Sequence, residues 1–186
     1  MFVVYSDKQR EQKKKQMLEE CFELFVKQGL ENTSLNDLSK HCKTYKAAFY
    51  NYFKSKDEIV FECAKMYMEK LDSMLFGEIA FTKDTLRAAL ENGFKVLADE
   101  KQNLRYVYQV VSSPKYGEKS RKALSEIYSK YLNYSDALAE NYSVDKERFR
   151  PYYLLFIATI HDFCLWENTA FVMEKLQYIF NQIDNL

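Results

Sequence analysis

Residues 33–56 read TSLNDLSKHCKTYKAAFYNYFKSK, and this stretch decides the fold. Thr33 and Ser34 stand just before the periodic run Leu35, Leu38 and Cys42, with Asp37 three residues beyond Ser34. A side-chain hydroxyl can therefore cap the free backbone amides of a helix starting near Ser34. The apolar spacing stops at Cys42, and Lys43 and Thr44 fill a turn. A second periodicity of Tyr45, Phe49, Tyr52 and Phe53 then runs into the polar Lys54, Ser55, Lys56 and Asp57, giving a helix of barely two turns. Phe49 and Phe53, four apart, share one face and point inward toward Leu38. Lys46, Ala47, Tyr50 and Asn51 are left facing outward. Two short helices, a tight turn and an exposed polar face have the shape that enters a DNA major groove.

Working outward, Met17, Leu18, Cys21, Phe22, Phe25 and Val26 repeat at helical spacing, and Gly29 is placed to end that helix, so the head is three helices. Lys13, Lys14 and Lys15 fall in its first turns, where positive charge opposes the helix dipole. They read either as a phosphate-facing cluster or as a solvated helix start. Asp57 is placed to cap a fourth helix through Ile59, Val60, Cys63, Met66, Tyr67, Lys70, Leu71 and Met74. Further helices are expected at about 84–99, 102–111, 118–141, 147–168 and 170–184. Polar breaks at Ser112, Ser113 and Pro114 and at Asn141, Tyr142 and Ser143 separate some of them. There is no internal repeat.

The 186 residues contain only four glycines and two prolines, which favours long helices. With 47% hydrophobic and 29% charged residues, the chain has no apolar run near the roughly 20 residues that span a bilayer. The initial MFVVYSDK lacks a positive region before its short apolar patch, so no secretory signal is expected and the chain is assigned to the cytoplasm. Cys21, Cys42, Cys63 and Cys164 lack CxxC spacing and read as small buried side chains in a reducing compartment. His41 and His161 are isolated, so no metal site and no cofactor are expected. The net charge is zero, but residues 1–56 carry 11 Lys and Arg against 7 Asp and Glu, a net of +4, and the other 130 residues carry −4. Such asymmetry suits a small phosphate-facing head on a larger acidic body.

The segment from about Arg148 to Asn168 contains YYLLFIATIHDFCLWE, apolar nearly all round, and must be covered on most sides. The last helix carries the stripe Phe171, Val172, Lys175, Leu176, Ile179, Phe180 and Ile183. Two such helices from each of two chains would bury both stripes in a four-helix homodimer interface, or else they pack on the rest of their own body.

The N-terminal 60 residues resemble the DNA-binding head of the tetracycline-repressor (TetR) family, without gaps. The resemblance is carried by Met17 and Leu18, Leu24 and Phe25, Gly29, Thr33 and Ser34, Asp37 and Leu38, and Tyr50, Tyr52, Phe53, Ser55, Lys56 and Ile59. It covers about a third of the chain. Departures fall at Lys43, where a turn glycine is usual, and at Thr44, Tyr45, Ala47 and Ala48. The resemblance implies an all-α protein of about nine helices. A helix-turn-helix DNA-binding domain over 1–56 would be followed by a helical effector-binding and dimerisation domain over 57–186.

It further implies a homodimer that binds double-stranded operator DNA and is released by a small-molecule effector, in the manner of a repressor. The DNA-facing set would comprise Thr33, Ser34, Thr44, Tyr45, Lys46, Ala47, Ala48, Tyr50, Asn51, Tyr52 and Lys56. Of these, Tyr50 and Lys56 would meet phosphates, and Lys46, Ala47, Asn51 and Tyr52 would lie at or beside base edges. Phosphate contacts set position and base contacts set sequence choice. Lys46 suits guanine N7 or O6, Asn51 an adenine or a phosphate, and the methyls of Ala47 and Ala48 a thymine methyl. For an apolar effector the candidate lining is Phe94, Tyr106, Tyr108, Tyr128, Tyr131, His161 and Trp166. The alternative is a helical ligand- or protein-binding dimer whose head no longer reads DNA. No glycine-rich phosphate loop, catalytic carboxylate pair or nucleophile with a positioned base is present, so an enzyme is not expected.

Overall fold

The computed structural model describes residues 7–76, 84–166 and 168–186, and the expectation for the N-terminal MFVVY lies outside them. The described residues form nine helices: α1 (Asp7–Gln28), α2 (Leu35–His41), α3 (Lys46–Phe49), α4 (Lys56–Phe76), α5 (Leu86–Asp99), α6 (Lys101–Ser112), α7 (Gly117–Asn141), α8 (Lys146–Trp166) and α9 (Thr169–Ile183). No strand occurs among them, so the fold is all-α with an N-terminal helix-turn-helix head and a larger helical body. The residues fall into two compact units. One is drawn from Met1–Tyr67 and Tyr106–Arg121, the other from Met68–Arg105 and Lys122–Leu186.

In the first unit α1 buries Met17, Leu18, Cys21, Phe22 and Phe25, as their spacing demands, and Leu24 besides, while Val26 is only half-buried. Gly29 ends the helix at φ +87, and its amide donates to the Phe25 carbonyl at 2.9 Å. The helix begins at Asp7, however, so Lys13, Lys14 and Lys15 lie beyond its first turn and the dipole argument for them lapses. At the next start Ser55, not Asp57, is the cap. Its Oγ accepts from the Glu58 amide at 3.1 Å, while the Glu58 carboxylate accepts from the Lys54 amide at 2.6 Å. Asp57 instead pairs with Lys115 at 2.7 Å.

The same unit draws in a segment the sequence periodicities did not connect to it. Tyr106 is buried against Phe22 and Phe25, with ring centroids 5.3 and 5.6 Å away, and its hydroxyl donates to the Val60 carbonyl at 2.9 Å. Phe22 also stacks on Tyr67 at 5.0 Å. Burying each such ring contributes on the order of 2–3 kcal/mol.

In the second unit α8 and α9 pack together through Phe149, Tyr153, Phe156, Ile160 and Cys164 on one side and Val172, Leu176, Ile179, Phe180 and Ile183 on the other. Helix α5 packs on both, burying Leu86, Ala89, Leu90 and Leu97. Arg87 lies over the Phe180 ring at 5.1 Å and donates to Glu91 at 2.9 Å and to Asp184 at 2.5 Å. The expectation that α8 is covered on most sides is only half met: within one chain Leu154, Leu165 and Trp166 remain exposed.

Candidate nucleic-acid interface

The site is built on the joint between α2 and α3. Ser34 caps α2 reciprocally: its Oγ accepts from the Asp37 amide at 3.2 Å, and its own amide and hydroxyl donate to the Asp37 carboxylate at 2.9 and 2.5 Å. Those bonds, the hydroxyl first, hold the Asp37 carboxyl below the ordinary carboxylate range. Helix α2 ends in a double closure, with the Lys43 amide donating to the Lys40 carbonyl at 3.0 Å and the Thr44 amide to the Ser39 carbonyl at 2.9 Å. This closure requires a left-handed residue, which glycine usually supplies. Here Lys43 takes it at φ +49, at a cost of about 1 kcal/mol.

Tyr45 then starts α3 without any side-chain cap bond and stands 84% exposed, so it does not belong to the apolar periodicity assigned to it. Helix α3 itself is one turn, shorter than expected. The chain keeps winding as turns, with the Asn51 amide bonded to the Ala48 carbonyl and the Tyr52 and Phe53 amides to the Phe49 carbonyl. What fixes its orientation is the pair Phe49 and Phe53, both buried, with ring centroids 5.4 Å apart. The outward side consists of Tyr45, Lys46, Ala47, Tyr50 and Asn51, all exposed, with Thr44, Ala48 and Tyr52 half-buried at its edges.

Two members of the DNA-facing set are committed elsewhere. Thr33 is fully buried and its hydroxyl donates to the Gly29 carbonyl at 2.8 Å, so it secures the α1–α2 connection and offers no surface. The Lys56 ammonium donates to the Leu30 carbonyl at 2.9 Å and lies near the Phe25 ring, only half-exposed. Ser34 is exposed, but its hydroxyl is tied to Asp37. Conversely, one residue absent from the set sits beside the face: Arg10 of α1 donates to the Asn51 backbone carbonyl at 2.8 Å. One turn on, Lys14 stands over the Phe53 ring. The signal for Arg10 was its spacing of four from Lys14, which puts both on one side of α1 once the helix is known to begin at Asp7.

The effector candidates are divided between the two units. Tyr106 belongs to the core of the first unit, and the side chains of Tyr128 and Tyr131 lie outside the described residues. Phe94 is half-buried against Phe163, and Tyr108 and His161 are half-buried, with burial lowering the His161 imidazole below its ordinary value. Trp166 is 76% exposed. It borders a groove of about 430 Å³ together with Asp162, Asn168, Phe171 and Val172, at the junction of α8 and α9.

Comparison with known proteins bears on both parts of the chain. Residues 17–63 match the family model for bacterial regulatory proteins of the tetR family. Over 86 residues the chain is 31% identical to the HTH-type transcriptional regulator YuxN of Bacillus subtilis, a match covering 46% of this chain and 29% of that protein. Over 109 residues it is 25% identical to the Tn10 TetC protein of Escherichia coli, covering 58% and 55% respectively. The chain thus spans about half, or less, of the length of the curated relatives it matches. Among solved structures, a TetR-family transcriptional regulator from Mesorhizobium loti superposes with a TM-score of 0.70 at 11% identity, covering 95% of each chain. At that identity the likeness is one of fold.

Proposed function

Since residues 17–63 of this chain belong to the tetR family of bacterial regulatory proteins, we propose that it is a DNA-binding transcriptional regulator whose α3 enters the major groove of an operator. The observation that carries this reading is the split between the two sides of the 45–53 segment. Phe49 and Phe53 are locked into the core, and Tyr45, Lys46, Ala47, Tyr50 and Asn51 stand together in solvent. Tyr50 donates its hydroxyl to a phosphate, Tyr45 takes a second one, and Lys46 and Asn51 address base edges. Arg10 adds positive charge beside Asn51. Lys56, engaged with Leu30, meets a phosphate only by exchanging that carbonyl for it.

The working form is a homodimer. Helix α8 carries an exposed line of Pro151, Leu154, Ala158 and Leu165, and α9 exposes Phe171 and Tyr178, seven apart on one side. These lines, set on helices whose other sides are already packed, support a four-helix contact between two copies. A dimer places two α3 segments on successive major grooves about 34–36 Å apart. DNA reading belongs to residues 1–56, and dimerisation and effector binding to 57–186. A small molecule held among the aromatic residues of the body shifts the population toward a spacing that no longer fits DNA, which makes the protein a releasable repressor. A gel-shift assay with the DNA flanking its own gene tests the reading: binding that weakens steeply with salt supports it, and binding that is absent at low salt overturns it.

A further inference from the structure

Two thiols face each other inside the head. Cys21 of α1 and Cys42, the residue that closes α2, have their sulfurs 3.8 Å apart although 21 residues separate them in sequence. We propose that Cys21 and Cys42 form a peroxide-sensitive disulfide site that clips α1 to the bend preceding α3. A third thiol, that of Cys63 on α4, donates to the Leu18 carbonyl at 3.4 Å, and the Cys42 thiol also reaches the Met17 carbonyl at 3.8 Å.

The geometry is favourable because a disulfide needs its sulfurs about 2 Å apart, so the two have to approach by a little under 2 Å in total. Cys42 is the member at the edge: it adjoins the exposed His41 and Lys43, whereas Cys21 is wholly enclosed. In the closed state Cys21 is protected: its hydrogen bond with Cys42 and then burial push its thiol well above the ordinary pKa, and burial does the same to Cys63. Thiols held protonated do not react. Reaction therefore follows opening of the α2–α3 joint, and that joint is built from helices of seven and four residues, too short to persist without their packing.

The chemistry balances with hydrogen peroxide as the oxidant. The Cys42 thiolate, formed on opening, attacks one peroxide oxygen, breaking the O–O bond to give a sulfenic acid and a hydroxide that leaves as water. The Cys21 sulfur then attacks the Cys42 sulfur. The S–S bond forms, the S–O bond breaks, and the departing hydroxyl takes up the Cys21 proton as a second water. Two electrons pass from the two sulfurs to the peroxide. On the functional reading above, the clip displaces the bend at Lys43 that aims α3, and duplex affinity falls until a dithiol reductant restores it.

The test treats the reduced full-length protein with hydrogen peroxide, blocks remaining thiols with N-ethylmaleimide in denaturant, and maps peptides without reduction. The expected result is a protein lighter by two hydrogens with two blocked thiols, Cys63 and Cys164, and one linked peptide pair containing Cys21 and Cys42. Cys63→Ala retains that link and Cys42→Ser loses it. Four blocked thiols, or a link that uses Cys63, overturns the proposal using the unaltered protein alone. This mapping does not depend on whether the head binds DNA, so its failure is separable from failure of the functional reading. Linked protein that binds a duplex as tightly as the reduced protein overturns the coupling to α3.

Discussion

Lys43 turns the chain between α2 and α3 at φ +49, and the cost falls on a single residue whose side chain is exposed. Replacing it with glycine removes the clash between Cβ and the carbonyl while keeping both closing hydrogen bonds. Lys43→Gly is expected to stabilise the protein by about 0.5–1 kcal/mol, read as a higher urea midpoint with an unchanged slope. Thr33 works the other way. Its hydroxyl is spent on the Gly29 carbonyl, so Thr33→Val should cost about 1 kcal/mol of stability and leave duplex affinity unaltered. A loss of affinity at equal foldedness would return Thr33 to the DNA surface. Asp37 gives the head a pH dependence of known sign. Its carboxyl is depressed by Ser34, so the capping interaction is complete above the ordinary carboxylate range and is lost as pH falls through the lower folded value. Acid titration of Asp37→Asn beside the parent should show the parent losing its advantage in that window.

At the level of elements, what was legible in the sequence was what is local. The Ser34 cap, the Gly29 stop and the inward Phe49 and Phe53 all depend on spacings of two to four residues, and each is found as read. Three boundaries shifted for local reasons of a subtler kind. Ser55 competes with Asp57 as a cap and wins because Glu58 lies three residues beyond it, its amide donating to the Ser55 hydroxyl while its carboxylate accepts from the Lys54 amide. Helix α1 extends back to Asp7 through polar residues that carry no apolar stripe to announce it. Helix α3 lasts one turn because its apolar residues fix the segment by packing, whatever the continuity of its own hydrogen bonds. Tyr106 was not legible at all: its partners Phe22, Phe25 and Val60 lie at least 46 residues away, and no periodicity encodes that. Since Phe49 is the buried anchor of α3, Phe49→Ala should cost about 3–5 kcal/mol, measured by denaturant unfolding, and should abolish duplex binding.

For the whole molecule, the proposed dimer rests on the exposed apolar lines of α8 and α9. The double substitution Leu154→Glu with Leu165→Glu puts buried charge into that contact, and sedimentation should move from dimer to monomer while the helical circular dichroism is kept. An unchanged dimer would place the contact elsewhere. The central claim is that two copies of the Tyr45–Asn51 face read two half-sites of one duplex, and selection from a random duplex pool tests it most directly because it presupposes no operator. The account predicts enrichment of a two-fold symmetric sequence whose halves lie about one helical turn apart. It also predicts that Tyr50→Phe weakens binding to the winners uniformly, whereas Asn51→Ala changes which winners emerge. A folded, dimeric protein that enriches no sequence at low salt would contradict it.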